Sequence, residues 1–230
     1  MNAVPLIKSK NVISNKAYLT EKTLNIMDIG CNEIKDAINA RDNTKFSKYD
    51  TDFLIDYIVK MHHDFAKKNA ITIYNLTQKV AYRHSHQHKE LKKFNEVAFF
   101  FFHDLLNQMS KEEQNLFPYV RQTIREIKYN GKNDNTTLQS LKEKIQLQQA
   151  EHKRSFNYLK NFREITSDYE IPFDACNHYK SLFEKMKQLE YDLTGHFYLE
   201  DDILFVKVIA LQQEPDTNLF KKMGKDTIVK

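Results

Sequence analysis

The feature that most limits what this chain can fold into is its scarcity of backbone punctuation: four Gly and four Pro in 230 residues. Sandwiches and doubly wound sheets reverse direction every few residues and rely on Gly and Pro to do so. A chain with so few breakers reads instead as long, uninterrupted helices. Apolar residues make up 41% of it, enough for a real core, while 29% are charged, which suits the solvated faces of amphipathic helices.

The net charge of +4 is spread evenly among acidic residues rather than gathered into a patch, so nothing marks a nucleic-acid binder. Cys31 and Cys176 lie far apart and form no CxxC pair. This argues against a disulfide framework or a cysteine zinc site and for a reducing cytoplasm. The N-terminus has no apolar leader core, and no run of 18 apolar residues occurs, so a cytoplasmic protein without membrane segments is expected.

Along the chain, residues 1–45 read as an N-terminal segment with one or two short helices, near Leu24–Met27 and Ile34–Ile38. Residues 46–212 form the main domain, and 213–230 a polar tail. Four long helices are predicted within the domain. The first opens at the capping residues Asp50-Thr51-Asp52 and runs to about residue 84. The second spans about 87–129, with Pro118 bending it without ending it. Its Phe99–Phe102 run is expected to be buried on all sides or to lie in an interface. The third covers about 137–164, with Leu138, Leu141, Ile145, Phe156, Leu159 and Phe162 facing inward. A non-helical strap at 166–173 leads to the fourth, from about Asp174 to Leu211. The expected fold is all-α, an up-down-up-down four-helix bundle.

Metal-ligating residue types recur at one depth of this bundle. Gln108 and Glu112 are spaced i,i+4 on the second helix, as are His196 and Glu200 on the fourth, so each pair shares a helix face. His63 lies on the first helix and His152 on the third. From His63 to the hairpin near residue 85, and from there to Gln108, both arms are about 33 Å at roughly 1.5 Å per residue. The positions therefore end up level. A lone helical histidine is more often a core or surface side chain than a ligand. Three His and two Glu at matching levels on four helices instead favour a non-haem iron or manganese pair. His84, His86 and His88 read as a surface cluster at the hairpin tip, and His62, His103 and His178 as non-ligands.

Several segments are similar to one family: LIDYIVKMHHD at 54–64, KEEQNLFP at 111–118, Glu151-His152, YEIPFDAC at 169–176 and DLTGHFYLEDDILF at 192–205. In this order they resemble the repair-of-iron-centres family, hemerythrin-like proteins with a di-iron site held in a bundle. The resemblance implies restoration of iron–sulfur clusters damaged by nitric oxide or oxidants, in the cytoplasm and often as a homodimer. Iron ions, O2 or NO, and apo iron–sulfur proteins are the implied partners. By position, His63, Glu112, His152, His196 and Glu200 match the family's iron ligands. Glu112 and Glu200 would bridge, His63 and His196 would hold one iron and His152 the other. The family's histidine four residues before the first glutamate is Gln108 here, whose amide oxygen, or a water, would take that place. The family's N-terminal cysteine pair is represented by Cys31 alone. Two other readings stand beside this one, an O2 or NO carrier or sensor without turnover and a structural bundle with a degenerate site.

Overall fold

The computed structural model describes residues 34–130 and 135–213. The expected helix near Leu24–Met27, residues 131–134 and the tail beyond residue 213 lie outside the described residues. The chain divides into two units, Met1–Lys48 and Tyr49–Lys230. In the first, residues 34–40 are helical and a 3-10 turn follows at Asn43–Phe46. Asp42 caps that turn by accepting the Thr44 N–H at 3.2 Å and its hydroxyl at 2.6 Å.

The second unit is a bundle of four helical rods. The first rod comprises α1 (Thr51–Tyr57), a π turn (Ile58–His63) and α2 (Asp64–His84). Its start is fixed by Asp50, whose carboxylate accepts the Phe53 N–H at 2.7 Å, satisfying an otherwise orphaned first-turn donor. The second rod comprises α3 (Glu90–Lys111), a π turn (Glu112–Leu116) and α4 (Phe117–Asn130). Pro118 sits inside α4 without ending it. The third rod is the single helix α5 (Asn135–Thr166), and the fourth comprises α6 (Asn177–Tyr198), a π turn (Leu199–Leu204) and α7 (Phe205–Gln213). α2 packs against both α3 and α6, and α3 against α5. No strand occurs among the described residues, and no helix there is long and apolar enough to cross a membrane.

The core is aromatic away from the polar depth of the bundle. Phe94 packs on Phe162 with ring centroids 4.8 Å apart, and Phe101 meets Phe162 edge-on at 5.3 Å. These rings are fully buried, so each removes a large apolar area from water and adds a favourable ring-pair geometry.

The strap between α5 and α6 reverses the chain through three consecutive left-handed residues, Ser167, Asp168 and Tyr169, with φ of 50°, 61° and 59°. None is glycine, and each such residue costs on the order of 1 kcal/mol or more. Local contacts offset this. The Asp168 N–H donates to Arg163 O at 2.8 Å and the Tyr169 N–H to Thr166 Oγ1 at 3.0 Å. The Tyr169 ring is buried edge-on against Phe183. The strap extends past the predicted limit, and the fourth rod starts at Asn177 rather than Asp174.

One packing expectation is corrected, and a second is met in part. Phe156 is 41% exposed and rests edge-on against Phe197 instead of facing inward. His152, Ser155, Leu159 and Phe162 define the inner face of α5, and Phe156 lies one residue past Ser155, about 100° round the helix. In the Phe99–Phe102 run, Phe101 and Phe102 are buried while Phe99 and Phe100 are 51% and 57% exposed. Four successive residues sweep the whole helix circumference, and the half turned to α2 and α5 is covered while Phe99 only flanks Tyr74.

This division predicts unequal mutational costs. Phe101→Ala is expected to lower the unfolding free energy in urea by about 3–5 kcal/mol. Phe100→Ala should change it by no more than about 0.5 kcal/mol. Equal losses would mean that the outer face of α3 is also covered in solution.

Candidate metal centre

Three of the four rods change their hydrogen-bonding pattern where they carry the matched residues. In the first rod the Asp64 N–H reaches back five residues to Val59 O, immediately after His63. In the second the Phe117 N–H bonds Glu112 O, and in the fourth the Phe205 N–H bonds Glu200 O. Each widened turn adds one residue to a helical circuit and so re-aims the side chains around it. Single-turn π segments inside α-helices occur frequently at functional sites. α5, which carries His152, stays α-helical throughout.

These turns bring His63, Glu112, His196 and Glu200 together. One ligand-type atom from each lies within 4.8 Å of all the others, all four are buried, and the group could hold a metal ion. His63 Nε2 is 3.1 Å from His196 Nε2 and 3.1 Å from Glu112 Oε2. His196 Nε2 is 2.9 Å from Glu200 Oε1. His152 stands at the edge of this group, its Nε2 3.1 Å from Glu200 Oε2 and 3.6 Å from Glu112 Oε1. The five residues matched in sequence thus meet in the core, at the depth the rise arithmetic indicates.

The outer nitrogens of two imidazoles are held by acids that the sequence reading missed. His63 Nδ1 lies 2.6 Å from Glu113 Oε1, which also accepts from Lys67 Nζ at 2.6 Å. His152 Nδ1 lies 2.9 Å from Asp201 Oδ1. Each acid directly follows a buried glutamate, so the doublets Glu112-Glu113 and Glu200-Asp201 were the available signal. Such partners orient an imidazole and raise its basicity. Aromatic rings fix the planes from the other side. Phe197 stacks on His152 at 4.3 Å and Phe117 on His63 at 5.8 Å.

The amides occupy the remaining side of the cage. Gln108 Nε2 donates to Glu112 Oε1 at 3.0 Å, while its Oε1 accepts from Ser155 Oγ at 3.1 Å. Its oxygen is therefore turned to Ser155 and away from the carboxylates. Gln148, four residues before His152, also donates to Glu112 Oε1 and lies 3.1 Å from His152 Nε2. This second glutamine was missed, although Gln148 and His152 repeat the i,i+4 spacing of Gln108 and Glu112.

The other histidines are non-members of the cage, with one correction. His62 is buried beside it, its ring parallel to that of His196 at 5.7 Å and its Nδ1 2.9 Å from Asp192. His84 is not a surface residue. It is buried, with Nε2 3.1 Å from Cys176 Sγ, and His88 faces Asp174 at 3.0 Å. The strap returns across the hairpin end and covers it, leaving His86 exposed. His103 and His178 are exposed on outer faces.

Electrostatics follow from burying two carboxylates side by side. Burial alone would raise the Glu200 pKa, yet His196, His152 and His63 hold it well below the usual carboxylate range. Burial and the neighbouring Glu200 likewise oppose charge on Glu112, but His152 and His63 depress it. The imidazoles answer in kind. Burial works against charge on His63, but hydrogen bonds to Glu112 and Glu200 lift its pKa to about 10. Asp201, Glu112 and Glu200 outweigh burial at His152 and raise it well above the ordinary value. At His196 burial prevails and the pKa falls. Protons thus provide the positive charge that a metal ion would otherwise supply. Glu112 Oε2 and Glu200 Oε2 face only the imidazole nitrogens of His63 and His152 and accept no other hydrogen bond, and His196 Nδ1 has no hydrogen-bond partner. Buried carboxylate lone pairs of this kind, set among imidazoles, fit a divalent transition-metal ion.

This arrangement fixes the pH response of the metal-free protein. Because the folded pKa of His63 is raised to about 10 from 6.5, its stabilising contribution is complete below about pH 6.5 and is lost as pH rises through about 10. The depressed Glu200 contributes above its unfolded pKa of 4.5 and loses that contribution as pH falls through the lower folded value. The urea midpoint of metal-free protein is expected to fall between about pH 7 and pH 10. Divalent-metal affinity should rise across the same window as fewer protons must be displaced. A midpoint that stays level over that range would refute the proton-compensated cage.

No family model matches the chain. Curated relatives do. It is 25% identical over 187 residues to the iron-sulfur cluster repair protein ScdA of Staphylococcus epidermidis, covering 79% of this chain and 80% of the relative. It is 27% identical over 158 residues to the iron-sulfur cluster repair protein DnrN of Neisseria gonorrhoeae, covering 67% and 89%. Over 157 residues it is 24% identical to the iron-sulfur cluster repair protein YtfE of Escherichia coli, covering 68% and 66%. Over most of its length, then, the chain is similar to curated iron-sulfur cluster repair proteins, in agreement with the resemblance its motifs carry.

Proposed function

We propose that this protein is an iron-binding member of the cluster-repair type, which holds non-haem iron in the core of its bundle and serves damaged iron–sulfur proteins by donating iron or handling nitric oxide. The observation that carries this is the buried group of two imidazoles and two carboxylates, with carboxylate oxygens that face only imidazole nitrogens in the core. The names of the relatives agree with it. A mixed imidazole and carboxylate set suits iron or manganese better than the soft thiolate sites that select copper or zinc.

His63, His196, Glu112 and Glu200 are the residues that would hold the iron. The resemblance adds a second ion on the His152 side, where Asp201, Glu200 and Gln148 are the neighbours of that imidazole. Bound iron supplies a redox-active centre with affinity for small diatomic ligands and an exchangeable metal for an apo acceptor. The protein's own part is positional. Glu113 and Asp201 fix the tautomer and tilt of His63 and His152, Lys67 anchors Glu113, and Phe117 and Phe197 hold the ring planes. Burial keeps bulk water from the donor atoms, so displacement of protons from His63 accompanies metal entry.

A paired substitution tests the assignment. Glu200→Ala should remove most of the iron from protein purified without oxygen or chelators, whereas His86→Ala at the exposed hairpin should leave the content unchanged. Iron analysis together with reactivation of an apo iron–sulfur protein reads both levels. Equal iron content in the two variants would dismiss the core assignment. Full iron content without reactivation would dismiss repair while leaving the metal site intact.

A further inference from the structure

The two glutamines bear on how many ions the cage holds. A carboxylate that bridges two ions gives one oxygen to each. Glu112 is buried, and its two oxygens face different surroundings. Oε2 points to His63 Nε2 at 3.1 Å and accepts no other hydrogen bond. Oε1 accepts from two amides at once, Gln108 Nε2 at 3.0 Å and Gln148 Nε2. Two such bonds use both lone pairs of that oxygen.

The second observation is where the Gln148 nitrogen sits. An ion shared by Glu112 Oε1 and His152 Nε2, which are 3.6 Å apart, would have to lie against both atoms. The Gln148 amide nitrogen lies against both already, 3.1 Å from the imidazole and in a hydrogen bond to the carboxylate. With their nitrogens toward Glu112, both amides present donors to the carboxylate instead of setting two acceptors against each other. Ser155 Oγ, donating to Gln108 Oε1, holds one of them in place.

Accepting the reading of this site as an iron centre, we propose that the centre is mononuclear: one ion held by His63, His196, Glu112 Oε2 and Glu200, with the amide groups of Gln108 and Gln148 occupying the place of a second. The four residues whose donor atoms all lie within 4.8 Å of one another are this set. His152 then serves as a partner of Glu200 and Asp201 rather than as a ligand. A single ion with carboxylate donors and no bridging partner favours release to an acceptor and binding of one small molecule over two-electron chemistry shared between metals.

The test is metal stoichiometry on the full chain, loaded anaerobically with excess Fe2+ and freed of loose metal by gel filtration. Wild type should carry one iron per chain, which after oxidation gives the paramagnetic-resonance signal of an isolated high-spin ferric ion. The double variant Gln108→His, Gln148→Ala offers a second imidazole and clears the amide nitrogen, so its iron content should rise twofold. Its irons should couple magnetically and lose that signal. Two coupled irons in wild type would overturn the proposal while leaving the iron centre standing. A double variant that still holds one iron would overturn the role given to the amides. No iron in wild type would overturn the iron centre itself.

Discussion

Two carboxylates buried in the middle of a helical bundle are the constraint on which the rest of this structure depends. Glu112 and Glu200 are both fully buried, and each ion taken out of water without compensation costs several kcal/mol. The surrounding chain can be read as an answer to that cost. Imidazoles approach on three rods, amide donors cover one oxygen, and Glu113 and Asp201 set the outer nitrogens of two imidazoles. The widened turns beside these residues serve the same end, since a regular α-helix fixes side-chain direction by residue number alone, and one extra residue per circuit frees it. That the first, second and fourth rods widen at one depth while the third does not indicates that the cage, not helix propensity, sets where the irregularity falls.

The cage in turn relies on the aromatic packing that holds the rods at fixed spacing. Phe94, Phe101, Phe162 and Phe183 fill the region between the polar depth and the hairpin end. There the strap closes over His84, Tyr179 and Cys176. Its left-handed residues are conformationally costly, and Tyr169 shows why the cost is tolerated. With its ring against Phe183 and Arg163 over its face, the strap locks the ends of α5 and α6 together. The acids and imidazoles that must meet within hydrogen-bonding distance are carried on rods whose relative position is set at both ends.

Much of this was legible in residue order. Scarce Gly and Pro imposed long helices, Asp50 marked a helix start, and the i,i+4 frames of Gln108 with Glu112 and His196 with Glu200 put each pair on one face. Rise per residue then set the level of His63 against Gln108. Where the reading failed, it failed for want of neighbours. Phe156 is apolar, but whether an apolar side chain is covered depends on which rods flank it. His84 looked like a loop histidine because nothing in its local sequence reveals that a segment 92 residues later returns to bond it.

The sequence by itself determined the helices, their order and the depth at which His63, Glu112, His152, His196 and Glu200 would meet, because helical periodicity and rise are local properties of the backbone. Only the tertiary structure decided which atom of each residue faces which. A glutamine's letter is the same whether its oxygen or its nitrogen points inward. The choice at Gln108 and Gln148 comes from the charge of a carboxylate on another turn or another helix, Glu112 lying 36 residues from Gln148. The π turns are likewise invisible in residue pattern, since they record which carbonyl an N–H selects once four rods compete for the same buried space.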